Sequence, residues 1–505
     1  MPPADDSSTR DAQPAQSLVQ RMLRETSRFA MLQVLSSLLA WVAHIALARL
    51  LDRRDFGVFA ICGFYIGLGA LLGNGGLAAT LVRRRGEVSR EEYQSALTAI
   101  LVVTLVLAAA LFFGAEWIGR RNQFSESEVL VVQAMAPLYF LGALRLVPYV
   151  RLERELRFSV IARIELVAAL FRHGVALGLA FAFGSVWALV CSHLVGAVLQ
   201  VVLAYAASPG WVGFGWSWRV FRPLFAYGSK VQLLTVLAYF KDNISRAVLG
   251  VAAGPTAVGV FDFALAYIQI PVVAVNSLAR VQLPVYARFE ATDPMLHATL
   301  RASMRTALLL GVPLLLMLAL AGPDVIPMIY GEKWLPAVPV AWALLLNMIC
   351  GLVDSPLFTF LQAQGRAGLA LIAFGVWTGS TWVLALCVVF LAPERLPLLG
   401  GAYSAATLGV TIWLLRWVSR YLGRPATAGL EAPVLAGLGA SIVVGLVRWT
   451  GAAWCTPLVA SGILLVAYVA CLYAIEGRVL FAEIRSIVTN ARRAPAKPAV
   501  QGVEE

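Results

Sequence analysis

The chain is poor in charge. Of its 505 residues only 13% are Asp, Glu, Lys or Arg, while 60% are apolar. An ordinary soluble domain carries roughly twice that charged share, and so much apolar surface cannot be hidden in one water-soluble core. A soluble globular class is therefore excluded. A cysteine framework is also missing. Cys62, Cys191, Cys350, Cys387, Cys455 and Cys471 are scattered and form no CxxC pair, so disulfide staples and thiolate metal centres give way to small packing residues. Catalytic signatures are absent too. There is no GxxxxGK[ST] loop, no HExxH and no Ser, His and Asp set, and Gly67-Leu68-Gly69 lies inside an apolar run rather than at a dinucleotide turn. No enzymatic activity, cofactor or metal is expected. The net charge of +12 would suit a nucleic-acid binder, yet the basic residues sit in short loops between apolar runs, so no nucleic-acid partner is expected.

What the chain has instead is a series of apolar runs close to the roughly 20 residues that cross a bilayer as helix. They fall at 29–51, 57–81, 95–118, 129–149, 160–181, 185–207, 221–250, 256–280, 303–325, 336–361, 367–390, 398–421, 432–449 and 455–475. The expected fold is an all-α integral membrane protein of about fourteen transmembrane helices. Residues 1–28 are polar, with disorder expected through Gln16 and an interfacial lead-in helix over Ser17–Arg28. The first run lacks a cleavage site, so the chain is expected to keep its N-terminus. Basic residues concentrate in alternate loops: Arg83, Arg84, Arg85 and Arg90, then Arg151, Arg154 and Arg157, then Arg280, Arg288, Arg301 and Arg305. The positive-inside rule places these loops, both termini and the tail at 476–505 in the cytoplasm.

A repeat is visible. Gly57-Val58-Phe59-Ala60 opens the second span and Gly259-Val260-Phe261-Asp262 opens the eighth, with Leu81-Val82-Arg83 and Leu283-Pro284-Val285 at the same offset. Two pseudo-symmetric six-helix lobes are expected, 29–207 and 208–421, followed by a helix pair over 432–475. Paired lobes around a midplane site are the usual plan of alternating-access transporters.

Polar residues inside the spans recur at helical steps. Span 7 carries Gln232, Thr235, Tyr239, Asp242 or Asn243, and Arg246 on one face, flanked by Lys241; span 1 carries Gln33, Ser37 and His44, with Arg49 near its end. Span 8 adds Asp262, Gln269, Asn276 and Arg280, span 10 adds Asn347, Asp354 and Gln362, and span 5 adds Glu165, Arg172 and His173. Buried charge is expensive in a bilayer and needs a partner or a wet cavity. Any one of these residues can equally hold helices together: a Glu165–Arg172 pair would account for Arg172, and His44 can be a satisfied core histidine. As a set, on equivalent helices of both lobes, they point to a common polar cavity lined mainly by spans 1, 7, 8 and 10. The cations Arg246, Lys241, Arg49 and Arg172 would then compensate an anionic cargo through charge-assisted hydrogen bonds. Gln33, His44, Gln232, Tyr239, Asn243 and Asn276 would meet its hydroxyls. Asp242, Asp262 and Asp354 are the carboxylates able to couple an ion.

Several loops resemble a known group. Ala48-Arg49-Leu50-Leu51 through Asp55-Phe56-Gly57-Val58-Phe59-Ala60, Leu152-Glu153-Arg154-Glu155-Leu156-Arg157-Phe158, Tyr330-Gly331-Glu332-Lys333-Trp334-Leu335-Pro336-Ala337 and Ala363-Gln364-Gly365-Arg366 resemble, in order and spacing, the polysaccharide-transporter family of the multidrug/oligosaccharidyl-lipid/polysaccharide exporter superfamily. The resemblance covers residues 20–420. It implies a MATE-like fold in the bacterial inner membrane and a flippase for polyprenyl-pyrophosphate-linked oligosaccharide, serving exopolysaccharide or O-antigen assembly. Membrane lipids, a polysaccharide polymerase and a chain-length regulator are the further partners it implies. One departure stands out: where relatives read Asn-x-Asp, this chain reads Asn243-Ile244-Ser245. A lipid II flippase and a cation or drug antiporter of the same superfamily fit the same frame. A membrane-embedded polysaccharide polymerase or ligase is the reading from another class; it would need a large external loop, and the outer loops here are short.

Overall fold

The structure, a computed structural model, describes residues 7–84, 86–276, 282, 285–290, 293–392, 394–450 and 456–477. The expectations resting on Arg280, Leu283 and Pro284 and on the tail beyond Gly477 lie outside the described residues, as does the side chain of Asn276.

Among the described residues all regular structure is helical. The helices are α1 (Ser7–Leu50), α2 (Arg53–Asn74), α3 (Leu77–Arg83), α4 (Arg90–Arg121), α5 (Glu126–Met135), α6 (Pro137–Leu144), α7 (Leu146–Arg154), α8 (Phe158–Phe183), α9 (Trp187–Ala207) and α10 (Trp218–Asn276). They continue with α11 (Pro294–Tyr330), α12 (Ala337–Ala363), α13 (Ala367–Leu391), α14 (Leu396–Leu422), α15 (Glu431–Trp449) and α16 (Pro457–Glu476). Thirteen stretches among the described residues are long and apolar enough to cross a membrane. Lipid offers no hydrogen bonds, so a spanning backbone must satisfy itself, which a helix does. Apolar side chains such as Leu105, Val106 and Phe113 of α4 and Phe181 of α8 point outward, as a lipid-facing surface requires. The chain is a multi-pass membrane protein.

Local chemistry sets the helix ends. Ser89 and Glu92 close a reciprocal capping box at the start of α4, with Glu92 N–H to Ser89 Oγ at 3.2 Å and Ser89 N–H to Glu92 Oε2 at 2.8 Å. Gly75 and Gly76 take left-handed φ values of 52° and 73°, which ends α2 before the expected limit at 81 and starts α3 as a separate turn. The expected fourth span divides into α5, α6 and α7, with a break ahead of Pro137, which lacks the N–H that would continue the ladder. Helix α1 is helical already from Ser7, where the polar composition suggested disorder. Glu25 of this lead-in accepts the Ser159 amide at 3.1 Å, a free N–H of the first turn of α8; the Ser159 hydroxyl first, with this amide behind it, holds the Glu25 carboxyl below the usual carboxylate range.

The chain forms two compact units. The first comprises 1–266, 326–340 and 371–406; the second comprises 267–325, 341–370 and 407–505. In the second unit Arg305 pairs with Glu476, Arg448 Nη2 donates to Asp324 Oδ2 at 2.6 Å, and Asn347 Nδ2 donates to Thr407 Oγ1 at 2.6 Å.

In the first unit α2 and α10 meet backbone to backbone. A Cβ at Gly57 would stand 1.6 Å from the Pro255 carbonyl oxygen, and a Cβ at Gly259 would stand 2.0 Å from that of Arg53. These are the first residues of the two repeat motifs, so the repeat glycines face one another across a helix crossing. Further along, Tyr239 lies against Gly67 and donates to Phe64 O at 2.6 Å, Gln232 Nε2 donates to Leu71 O at 2.7 Å, and Gly228 approaches Gly76. Close approach through small residues is how helices associate where lipid supplies no hydrophobic drive. Gly259→Ala should therefore lower stability by about 3 kcal/mol, the upper range of overpacking. The checks are the thermal midpoint of purified protein and the control Gly114→Ala, whose added methyl meets nothing within 4 Å and should not lower that midpoint.

Candidate functional site: a cavity of histidine and arginine

Helices α1, α2, α8, α9 and α10 of the first unit enclose a cavity of about 390 Å³. His44, Arg172, His173, His193, Arg246 and Asp262 reach it between walls of Phe56, Phe59 and Phe263. Three of the chain's four histidines thus come together at one place. The glycine crossing makes this possible: Gly259 brings α10 onto α2, and three residues later Asp262 enters the cavity opposite Ala60 and Gly63.

Each polar group has a defined setting. Arg246 Nε donates to Asp262 Oδ2 at 2.6 Å and its Nη1 to Asn243 Oδ1 at 2.6 Å. The other Asp262 oxygen, Oδ1, is buried without a hydrogen-bond partner. Arg172 lays its stem on Gly196, where a Cβ would be 3.2 Å from that of Arg172, and its Nε is buried and unpartnered, as is Nε2 of His173. His44 stacks on Phe263 with ring centroids 6.1 Å apart and meets Phe56 edge-on at 5.6 Å. His193 lies 4.7 Å from the Phe59 ring, with Nδ1 2.9 Å from Leu189 O. Donors set among apolar walls bind an anion more strongly than they would in open water.

Of the residues singled out in the sequence, Arg246, Asp262, His44 and Arg172 share this cavity, as does His173 of the same stripe. Arg172 is not consumed by Glu165, which lines a different cavity. The others are placed elsewhere. Lys241 Nζ is 2.5 Å from Asp242 Oδ1 and 4.2 Å from the Trp377 ring centroid, off the cavity wall. Asp242 is exposed and Gln33 is exposed. Tyr239 and Gln232 spend their polar groups on α2 carbonyls, and Asn243 supports Arg246. Asp354 is buried in the second unit with Thr411 Oγ1 at 3.0 Å. The walls belong to spans 1, 2, 5, 6, 7 and 8, so span 10 does not line this cavity and spans 2, 5 and 6 do.

Arg49 caps a helix. It donates to the carbonyls of Met328 and of Ile329 (2.6 Å) at the end of α11. In return Lys333 Nζ donates to Arg49 O at 3.0 Å and Leu51 O at 2.6 Å, and Trp334 Nε1 donates to Ala48 O at 2.9 Å. Two helix C-termini thus satisfy each other's orphan carbonyls. Burial presses the Lys333 ammonium below its ordinary value, with Asp52 and Asp55 opposing. The fully buried Trp334 then stacks on Phe263 at 4.1 Å, directly behind the cavity wall. The other loop motifs act alike: Arg154 donates to the carbonyls of Leu81 (2.8 Å), Arg84 (2.9 Å) and Gly86, and Gln364 Nε2 donates to those of Tyr286 (2.9 Å) and Phe289 (3.1 Å). His193 was missed by sequence reasoning. Its signal was its own rarity, an imidazole inside an apolar run of a chain with four histidines.

A sequence-family profile described as "Polysaccharide biosynthesis protein" matches residues 46–339. Among curated relatives, the teichuronic acid biosynthesis protein TuaB of Bacillus subtilis is 24% identical over 69% of this chain and 71% of its own length. The lipopolysaccharide biosynthesis protein WzxC of Escherichia coli is 22% identical over 75% and 74%, and the succinoglycan biosynthesis transport protein ExoT of Rhizobium meliloti 24% over 74% and 73%. Among solved structures, the lipid II flippase MurJ in an inward closed conformation superposes with a TM-score of 0.75 at 14% identity, covering 90% of this chain and 99% of that one. An inward-facing multidrug resistance MATE transporter of the MOP superfamily follows at 0.59 and 16%, covering 78% and 96%. These likenesses establish the fold.

The hydrogen-bond inventory gives two substitutions of opposite effect. Arg49→Ala leaves helix-end carbonyls unpaired and should cost about 1–3 kcal/mol. Arg172→Leu removes a buried, unpartnered guanidinium nitrogen and should leave the protein at least as stable. Thermal unfolding of the two purified variants beside the parent checks both signs.

Proposed function

We propose, from the premise that the chain belongs to the polysaccharide biosynthesis protein family, that it is a flippase carrying a diphosphate-linked lipid oligosaccharide across the bacterial inner membrane by alternating access. The observation that carries this reading is the cavity: two arginines and three histidines gathered inside apolar helices, with Arg172 Nε and His173 Nε2 lacking a hydrogen-bond partner. Unpaired buried donors lose their full desolvation cost unless a ligand supplies acceptors. A diphosphate does so, and its charge is what makes crossing the bilayer slow without a protein. The curated relatives are named for polysaccharide biosynthesis and one for transport, which supports a saccharide cargo and a transporter rather than an enzyme.

The stretch Thr235–Val272 spans 38 residues, roughly 57 Å of helix against a hydrocarbon core of about 30 Å. It breaks at Gly254, with φ 78° and ψ 178°. We read it as two crossings, which brings the total to fourteen, arranged as six-helix lobes at 29–207 and 208–421 with a final pair over 432–475. Basic loops at alternate ends support cytoplasmic termini. Of the coupling carboxylates Asp262 is the one beside the cargo cations, so ion coupling is assigned to it.

Arg246→Ala and Arg172→Ala should each abolish polymer export without lowering protein level, whereas Lys241→Ala should export normally. The measurement is surface polymer, together with lipid-linked saccharide left on the cytoplasmic leaflet of the cells. Normal export by both arginine variants would overturn the assignment.

A further inference from the structure

A second cavity, of about 330 Å³, lies in the first unit, lined by α2, α3, α4, α6, α7 and α8. Its polar lining includes Asn74, Arg145, Tyr149, Glu153 and Glu165. Arg145 is already engaged: Nη1 is 2.5 Å from Gln200 Oε1 and its guanidinium lies 5.5 Å from the Tyr149 ring centroid. The two carboxylates are not; neither the Glu153 nor the Glu165 side chain makes a hydrogen bond or ion pair among the described residues. The Tyr149 hydroxyl is buried and also lacks a partner.

The placement of this cavity is what gives it meaning. Helix α2 lines the first cavity at Phe59, Ala60 and Gly63 and the second at Ala70 and Asn74; α8 lines the first at Arg172 and Ala176 and the second at Glu165. The steps 63, 70, 74 and 165, 172, 176 keep to one face of each helix. The two cavities therefore follow one another along the same pair of helices, offset by seven residues, or roughly 10 Å of rise. That offset matches the reach from a diphosphate to its first one or two sugar rings. Between them, against Gly67 of the same α2 face, stands the Tyr239 ring.

We propose that this second cavity is the saccharide subsite, holding the sugar next to the diphosphate and selecting a neutral or amine-bearing sugar over a uronic acid. The inference rests on the diphosphate reading of the first cavity. Carboxylates accept hydrogen bonds only, so Glu153 and Glu165 want hydroxyl or ammonium donors. Tyr149 and Asn74 bring a hydroxyl and an amide to the same space. Arg145 keeps its charge although Gln200 holds it, so the cavity sets two carboxylates against one guanidinium; a third carboxylate would add to the surplus negative charge, and like-charge juxtaposition is how a site rejects a wrong ligand.

The test uses the full chain in nanodiscs and measures affinity for citronellyl diphosphate and for its glucosyl, galactosyl, N-acetylglucosaminyl and glucuronosyl derivatives. At least one neutral-sugar probe should bind tenfold or more tighter than the sugar-free diphosphate, and the glucuronosyl probe no tighter. Glu165→Ala and Glu153→Ala should each erase that gain while the sugar-free probe binds as before, which also certifies the variants as folded. The double variant Glu153→Gln, Glu165→Gln should bind the glucuronosyl probe at least threefold tighter than the parent does. If sugar-free diphosphate binds but no neutral sugar adds to it, or if the gain survives both alanine variants, the subsite is overturned and the diphosphate reading stands. If the sugar-free diphosphate fails to bind as well, both fall together.

Discussion

The crossing of α2 and α10 at Gly57 and Gly259 is the contact on which the first unit depends. Each glycine sits where the partner's backbone leaves no room for a Cβ, so the two helices approach as closely as helices can. Everything that makes the cavity chemical follows from that approach. Arg246 lies before the crossing and Asp262 just after it, and both turn into the same space as Arg172 and His173 from α8. A larger residue at either glycine would push α10 off α2 and carry the Arg246–Asp262 pair, both on α10, away from Phe59, Ala60 and Gly63 of α2.

The outer loop serves the same end from behind. Arg49 and Lys333 exchange hydrogen bonds between two helix ends, and Trp334 fills the space behind Phe263. Helix ends within or near lipid cannot leave carbonyls to water as freely as those of a soluble protein. A cation that satisfies several of them at once is therefore a structural element in its own right. Arg154 and Gln364 solve the same problem at other loops. These donors belong to the loop motifs, which were the most recognisable part of the sequence, and the first of those motifs also supplies Phe56, Phe59 and Ala60 to the cavity wall.

The division between what could and could not be read in the sequence follows the same physics. Apolar runs report burial in lipid directly, so the spans were legible, except where Pro137 and the Gly75-Gly76 turn broke a run into separate helices and where the expected spans seven and eight form the one stretch Thr235–Val272. The face of a helix was legible from its period, so Arg246 and Asp262 were found, since they are one charge pair on consecutive spans. What period cannot give is the partner across the interface. Arg49 and Arg172 are alike as intramembrane arginines, yet one is spent on carbonyls and the other lines a cavity with its Nε buried and unpartnered. His193 escaped because the ionisable side chains that share its cavity come from other helices.

That last contrast carries the functional argument. A protein selected only for stability would have replaced Arg172 with an apolar residue of similar volume, since an unpartnered guanidinium nitrogen in an apolar surround is a net loss. Its stem is well accommodated, lying on Gly196, so the site was shaped to hold the side chain and not merely to tolerate it. Arg246, by contrast, is neutralised in place by Asp262. Under the proposed reading, a diphosphate in this cavity would meet Arg172 and Arg246 from one space, and Asp262 is the group it would compete with for Arg246.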